Sequence, residues 1–204
     1  MKKIKNSLGF TLVELLIVIG LLGAIALIVI AAINPIEQSN RARDTRFKAD
    51  AGQLISAIDR YYVANSEFPW MTVTPATYDS VEDTFGFLSS DNQNVGLCGA
   101  SCAADDGVLI TTNELKTEFR NRDFVQNAAD GVEKQIMIGK ATGSSASVYG
   151  CFIPLAYATK KKALADAKVY TLSAATGDRT PTVACATPDV SWSDVTDCYV
   201  CVPE

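Results

Sequence analysis

Near its amino terminus the chain has a long apolar run with almost no polar side chains. From Leu12 to Ile33 the only charged residue is Glu14. The 24 residues from Phe10 to Ile33 would rise about 36 Å as a helix, against roughly 30 Å of bilayer hydrocarbon. The pattern therefore predicts a membrane-spanning helix over residues 10–33.

A different pattern follows, in which apolar residues recur at helical spacing. The apolar face comprises Phe47, Ala51, Leu54, Ile58 and Tyr61. Polar residues such as Arg46, Gln53 and Arg60 fall on another face, as in a helix that packs on a core. We therefore predict an amphipathic second helix half over residues 34–63, docked on a globular head.

The boundary between the two patterns contains a helix-breaking residue. Asn34-Pro35 interrupts the apolar run where the membrane would end. A proline inside a helix removes one hydrogen bond and favours a kink. Gly20, Gly23 and Pro35 are the candidate helix breakers, and the pattern does not show which of them loosens the helix.

Residues 64–204 have the mixed pattern of a globular head. A polar loop between Thr72 and Asp106 precedes a short predicted helix over residues 113–128, in which Leu115, Phe119 and Phe124 face inward. Strand-like runs, separated by turn residues, follow at 135–138, 148–157 and 168–173. No repeat or linker divides the head, so we predict an α+β fold in which an antiparallel meander packs on the long helix.

The charges that flank the apolar run predict its orientation. Lys2, Lys3 and Lys5 precede it without any acidic residue, so residues 1–9 are expected in the cytoplasm and the head outside. The formal net charge of -5 argues against general attraction to nucleic acid. The local run Lys160-Lys161-Lys162 is interpreted as a solvated turn.

Six cysteines lie beyond the apolar run. They are Cys98, Cys102, Cys151, Cys185, Cys198 and Cys201. An even count in an oxidising compartment predicts disulfides, and the sequence leaves their pairing open. The alternative is a zinc site built from the thiolates of the C-x3-C at Cys98 and the C-x2-C at Cys198. An exported protein favours the disulfides.

Other candidate chemistry is sparse. The chain has no histidine, which removes the usual base for a serine or cysteine nucleophile. The carboxylate pair Asp105-Asp106 lies in a polar loop where solvation explains it. Asp189, Asp194 and Asp197 carry oxygens that calcium accepts, but an exposed acidic loop explains them better. We therefore expect no catalytic residues, no cofactor and no metal.

The junction between the basic leader and the apolar run contains a small residue, Gly9, followed by a carboxylate, Glu14, inside the apolar helix. An acid deep in a membrane helix costs about 2.5–3.5 kcal/mol on insertion scales, so it marks a function and needs a partner. A cut between Gly9 and Phe10 would create an amine at about the depth of Glu14. A neighbouring copy, shifted along the helix axis, would bring amine and carboxylate together.

Two other interpretations explain the apolar run itself. Ala24-Ile25-Ala26 matches the A-x-A site of ordinary signal peptidase, but a cut there leaves Glu14 without a purpose. A plain transmembrane anchor explains the length of the run but neither Gly9-Phe10 nor Glu14.

The run Gly9-Phe10-Thr11-Leu12-Val13-Glu14, with the apolar residues after it, resembles the processing signature of type IV prepilins and of the pseudopilins of type II secretion systems. The resemblance implies a membrane peptidase that cleaves after Gly9 and methylates the amine of Phe10. It also implies the pilin fold, in which a very long N-terminal helix, apolar and then amphipathic, packs on an antiparallel sheet. The match is close over residues 1–33 and fades toward Trp70.

The predicted function is that of a structural subunit in a surface filament for adhesion, motility or DNA uptake. Its expected partners are copies of itself or minor pilins, the prepilin peptidase, the assembly platform and the membrane. The precursor is expected in the inner membrane, single-pass with the head outside, and the assembled form outside the cell. The alternative is a pseudopilin of a type II secretion system. A head with six cysteines fits a durable external fibre better, and the spacing of Asp189, Asp194 and Asp197 is not that of a pseudopilin calcium loop.

Overall fold

Two helices occupy most of the chain up to Asn65 in the computed structural model, which describes residues 10–32, 34–73, 78–195 and 198–204. Helix α1 spans Leu12–Ala32 and helix α2 spans Pro35–Asn65. Ile33 and the leader, residues 1–9, lie outside the described residues. The chain divides into two units, Met1–Gln38 and Ser39–Glu204, and each is described by itself.

Asn34 and Pro35 begin a new helix and do not kink a continuous one. The backbone N–H of Glu37 donates to Oδ1 of Asn34 at 3.2 Å, which is the bond that an N-cap asparagine makes. Pro35 occupies the first helical position, where its missing N–H costs no hydrogen bond. Gly20 and Gly23, the other candidate breakers, lie inside α1 without interrupting it.

Short helices and strands follow α2 in the second unit. The strands are β1 Phe85–Ser89, β2 Met137–Lys140, β3 Val148–Phe152, β4 Tyr170–Leu172, β5 Arg179–Pro181 and β6 Val200–Val202. The helices are α3 Val108–Thr111, α4 Asp123–Gln126, α5 Tyr157–Ala165 and α6 Trp192–Val195. Five 3₁₀ turns are described, at Pro69–Met71, Gln93–Val95, Thr117–Phe119, Ala128–Asp130 and Val132–Lys134.

An antiparallel sheet of four strands forms the centre of this unit. Its order is β1-β2-β3-β6, so the first three strands form a meander and β6 returns to pair with β3. Strands β4 and β5 make a separate two-stranded sheet. The α+β prediction is confirmed: an apolar N-terminal helix, a second helix and an antiparallel sheet fit the pilin fold.

Strand β3 has buried residues on both faces of the sheet. Val148 and Phe152 belong to the hydrophobic cluster that contains α2. Tyr149 and Cys151, which alternate with them, pack in a second cluster with α5, α6 and β4. Because successive side chains of a strand point to opposite faces, the run from Val148 to Phe152 is apolar throughout and lies between two cores.

Gly150 allows α2 to pack closely on this sheet. A Cβ atom at Gly150 would stand 3.1 Å from Cβ of Ala51 and 3.3 Å from Cδ1 of Ile55. These separations are shorter than ordinary van der Waals contact, so a Cβ atom here would require Ala51 or Ile55 to shift by a few tenths of an ångström. The buried face of α2 includes the five residues predicted from the sequence, Phe47, Ala51, Leu54, Ile58 and Tyr61.

A buried carboxylate joins α2 to the segment after β3. Asp44 accepts hydrogen bonds from the backbone N–H groups of Leu155 and Ala156, both at 3.0 Å, and its side chain is 3% exposed. Ala156 is the N-cap of α5, where a negative charge is favourable. Arg43 completes the arrangement, because its Nη1 lies 3.1 Å from Asp44 Oδ1 and 3.0 Å from the carbonyl oxygen of Ile153.

Several local predictions are wrong. Residues 72–106 were predicted to be a polar loop, but strand β1 lies inside this segment. The strand was not predicted because it is short and begins with the residues Phe-Gly-Phe. The helix predicted over residues 113–128 is broken into a 3₁₀ turn and α4, although Phe119 and Phe124 are buried as expected.

The predicted strand over residues 148–157 ends at Phe152, and α5 begins at Tyr157. The lysine run lies in α5 and is not a solvated turn. Lys160 is 7% exposed, and its Nζ donates to the carbonyl oxygen of Val190 at 2.9 Å. The aliphatic part of the Lys160 side chain is covered, while its ammonium group reaches a carbonyl oxygen. A run of lysines in the sequence does not show that one of them is buried in this way.

All six cysteines form disulfides, paired as Cys98–Cys102, Cys151–Cys201 and Cys185–Cys198. The first closes a loop of sequence separation 4, and the second joins paired residues of β3 and β6 across a separation of 50. The zinc alternative is therefore wrong, because Cys98 and Cys102 are bonded to each other and Cys198 and Cys201 have other partners.

The disulfides should differ in their contribution to stability. Chain-entropy arithmetic gives about 4 kcal/mol for a loop like that of Cys151–Cys201 and about 2 kcal/mol for one like Cys98–Cys102. Replacing each pair by alanines should therefore lower the free energy of unfolding about twice as much for the first pair. Urea unfolding followed by fluorescence of the buried Trp70 and Trp192 measures both. Equal losses, or free thiols found by alkylating the denatured, unreduced chain, would contradict this expectation.

Two buried aspartates of α2 should respond to different extents when each is replaced by asparagine. Asp44→Asn removes one acceptor for a backbone N–H and should cost about 2 kcal/mol, the usual value for a bond to a charged group. Asp50→Asn should change stability by less than about 1 kcal/mol, because its ion pair with the half-exposed Arg122 contributes little. Burial raises the pKa of Asp50, although the positive charge of Arg122 acts to lower it. No described group donates a hydrogen bond to Oδ2 of Asp50.

Urea unfolding at neutral pH compares the two variants with the unaltered chain. If Asp50→Asn were the more damaging substitution, the structural role assigned to Asp44 would be wrong.

Candidate functional site

Helix α1 is apolar around its whole circumference. Its large aliphatic side chains are 46% to 78% exposed, and the part from Leu12 to Ile30 is long and apolar enough to cross a membrane. A helix that is apolar on all sides is stable only inside a bilayer or among other apolar surfaces. Nothing in the described first unit covers α1, so this surface requires an apolar environment.

Thr11 and Glu14 form a capping box at the start of α1. The carboxylate Oε2 of Glu14 accepts from the backbone N–H of Thr11 at 2.8 Å and from its hydroxyl at 2.7 Å. In return, the backbone N–H of Glu14 lies 3.2 Å from Oγ1 of Thr11. Reciprocal bonds of this kind satisfy N–H groups that a helix start otherwise leaves without partners.

The capping box leaves the charge of Glu14 without a counterion. Thr11 supplies only neutral donors, and the described residues 10–32 contain no basic side chain. Both bonds from Thr11 go to Oε2, and within the described residues no group donates to Oε1. A carboxylate accepts about four hydrogen bonds, so Glu14 keeps capacity for a charged donor.

Phe10 stands just outside the helix and is 87% exposed. Gly9 lies outside the described residues, so the peptide bond between the two is not described. An amine at Phe10 would lie at the positive end of the α1 dipole, which disfavours a cation. A carboxylate supplied by a second chain would offset this cost.

The remaining candidate residues of the sequence do not come together as a site. Asp189 is exposed, Asp197 lies outside the described residues, and nothing is described for the side chain of Asp194. Oδ2 of Asp105 accepts from the backbone N–H of Ser101, and Asp106 pairs with Arg120 at 3.2 Å. The described residues contain no group of three or more potential metal-ligating side chains.

Thr11 is the functional residue that the sequence argument missed. The signal was present, because a threonine followed three residues later by a glutamate before an apolar run is the sequence form of a capping box.

Comparison with known proteins identifies the same segment. A family model described as the prokaryotic N-terminal methylation motif matches residues 4–30, a range that contains Gly9, Phe10, Thr11 and Glu14. Searches of curated proteins and of solved structures found no match. The motif is the one that prepilins and pseudopilins share, and it implies processing by a prepilin peptidase and anchoring through the apolar helix. By this motif the amino-terminal segment, residues 4–30, matches the signature of type IV prepilins and pseudopilins.

Proposed function

We propose that the protein is the precursor of a structural subunit of a type IV pilus-like filament and not an enzyme. A prepilin peptidase cuts it after Gly9 and methylates the amine of Phe10, and an assembly platform moves the mature chain from the inner membrane into an extracellular fibre. The single observation that carries this proposal is the methylation motif over residues 4–30, placed at the start of an uncovered apolar helix.

The physical reason for assembly is the surface of α1. In the precursor the bilayer covers the exposed leucine, isoleucine and valine side chains, and in the fibre the helices of neighbouring copies cover them. When apolar helices leave the lipid and associate, their side chains exchange one apolar environment for another, so the hydrophobic effect contributes little. Dispersion and close packing between the helices drive the association instead. Copies of this chain, alone or with minor pilins, are therefore its main partners.

Glu14 sets the axial register of the copies. The Phe10 amine of one copy donates to the carboxylate of the next, at the oxygen that Thr11 leaves free. A charge-assisted bond is shorter and about twice as strong as a neutral one, and pairing removes part of the cost of an isolated acid in the bilayer. The capping box presents the carboxylate in a fixed orientation.

The head favours an external fibre over a pseudopilus of a secretion system. Three disulfides stabilise a domain that has to persist outside the cell. Neighbouring genes discriminate between the two: a retraction ATPase beside the assembly ATPase indicates a dynamic pilus, and a secretin with secretion partners indicates the pseudopilin.

The mature chain should begin at Phe10. Mass spectrometry of the amino-terminal peptide from isolated filaments or membranes should show Phe10 with one added methyl group. Gly9→Val should leave the uncut precursor in the membrane, because a β-branched residue replaces the small one at the cut. A mature start at Leu27, or an uncut Met1 in assembled filaments, would refute the proposal.

Glu14→Gln should permit membrane insertion and cleavage but reduce filament yield by at least about tenfold, since losing a charge-assisted bond costs 1.4 kcal/mol or more per copy. Electron microscopy of sheared fractions measures the yield, and cleavage is checked in the same cells. Glu67→Gln, an exposed change in the head, is the matched control and should assemble normally. Abundant filaments from cleaved Glu14→Gln chains would show that the pairing is not needed.

A further inference from the structure

A cavity of about 290 Å³ lies on the head between α2 and the loop before β3. Its walls include an aromatic pair, Tyr62 and Phe68, and a carboxylate, Asp59. On the facing side the loop contributes three serines, Ser144, Ser145 and Ser147. The cavity belongs entirely to the second unit and is separate from the amino-terminal segment. An aromatic surface opposite a few polar groups is the usual make-up of a small-molecule site.

The aromatic wall is the outer end of a stacked column. The ring centroids of Tyr62 and Phe68 are 4.4 Å apart, those of Phe68 and Trp70 4.5 Å, and those of Trp70 and Phe85 4.2 Å. All three pairs lie within 11° of parallel. Phe68, Trp70 and Phe85 are buried, whereas Tyr62 is half-buried. The buried rings hold Tyr62 in place, so the cavity has a rigid aromatic wall.

The polar groups of the cavity are largely free to accept a ligand. Asp59 is exposed and forms no hydrogen bond or ion pair with any described residue, and partial desolvation raises its pKa. The hydroxyls of Ser145 and Ser147 likewise have no partner in the described part of the chain. The loop that carries them is held by Glu82, whose carboxylate and carbonyl oxygens accept from the N–H groups of Ser144 and Gly143. These bonds fix the backbone of the loop at Gly143 and Ser144.

We propose that this cavity binds a neutral sugar residue of a glycan. A pyranose ring has an apolar face of C–H groups that packs on an aromatic ring, and hydroxyls at its edge that donate to a carboxylate and exchange hydrogen bonds with serines. Tyr62 supplies the apolar surface, Asp59 accepts from the sugar hydroxyls, and Ser145 and Ser147 complete the polar side. The unpaired Asp59 repels phosphate, sulfate and carboxylate groups, which excludes acidic sugars.

This inference does not depend on the filament proposal, because the site lies in a single copy of the head. The test uses the full chain as a monomer in micelles of a detergent without a sugar headgroup. Saturation-transfer NMR is measured with the methyl glycosides of glucose, galactose, mannose and N-acetylglucosamine. At least one of them should receive saturation and bind with a millimolar or lower Kd.

Variants of the cavity locate the binding. Asp59→Asn and Tyr62→Leu should each weaken it by at least about tenfold, the equivalent of one lost charge-assisted bond or aromatic contact. Tyr62→Phe, which keeps the ring, should retain binding and shows whether a loss in Tyr62→Leu reflects unfolding. Asp166→Asn, an exposed change at the C-cap of α5, is the control and should bind like the unaltered chain.

Three outcomes would overturn the proposal. In the first, none of the four glycosides receives saturation. In the second, Asp59→Asn and Tyr62→Leu bind sugar as well as the unaltered chain does. In the third, the chain binds choline but no sugar. The last would assign the aromatic wall and Asp59 to an organic cation. Each outcome leaves the filament proposal untouched, because none involves assembly.

Discussion

The close approach of α2 to the sheet is the interaction on which the rest of the head depends. A glycine in β3 favours it, because a Cβ atom at Gly150 would crowd Ala51 and Ile55. With the helix in place, Phe47 packs edge-to-face on Phe152 and Phe124. Asp44 is then buried where it caps α5. One small residue thus positions the main core, the segment after β3 and a second helix.

The opposite face of the sheet is covered in a different way. Its cluster is smaller than the one around α2 and includes four of the six cysteines, Cys151, Cys185, Cys198 and Cys201. Short strands and helices of three or four residues, such as β4, β5 and α6, bury little apolar area by themselves. Disulfides constrain such segments by restricting the unfolded chain. The bridges on this face therefore substitute for a larger core.

Helix α1 has the opposite problem, since it has abundant apolar surface and no described residue of its own unit covers it. Such a surface requires a lipid or protein environment, and a carboxylate inside it requires a charged partner in that environment. The capping box resolves the local part of this requirement by satisfying the N–H of Thr11. It leaves the charge of Glu14 unbalanced within the described residues, and this requirement for a charged partner arises from α1 and Glu14 together.

Features that depend on neighbouring residues in the sequence were predictable. The apolar run, the amphipathic face from Phe47 to Tyr61 and the signature from Gly9 to Glu14 all follow from periodicity or spacing over a few residues. The N-cap at Asn34 and the capping box of Thr11 are equally local, and both were available from known sequence forms. An even number of cysteines beyond the apolar run likewise predicted disulfides.

The tertiary structure decided everything that depends on residues far apart in the chain. The cysteine pairing was among these, since Cys151 meets Cys201 only because β6 returns to β3. Lys160 is buried only because the carbonyl oxygen of Val190 and the ring of Trp192 lie beside it.

The helix predicted over residues 113–128 gave way to short turns because burying Phe119 and Phe124 in the cluster with Phe47 outweighed helical propensity. Propensities of a few tenths of a kcal/mol per residue are smaller than the free energy of burying an aromatic side chain, about 1.5–3 kcal/mol. Long-range packing therefore wins wherever the two disagree.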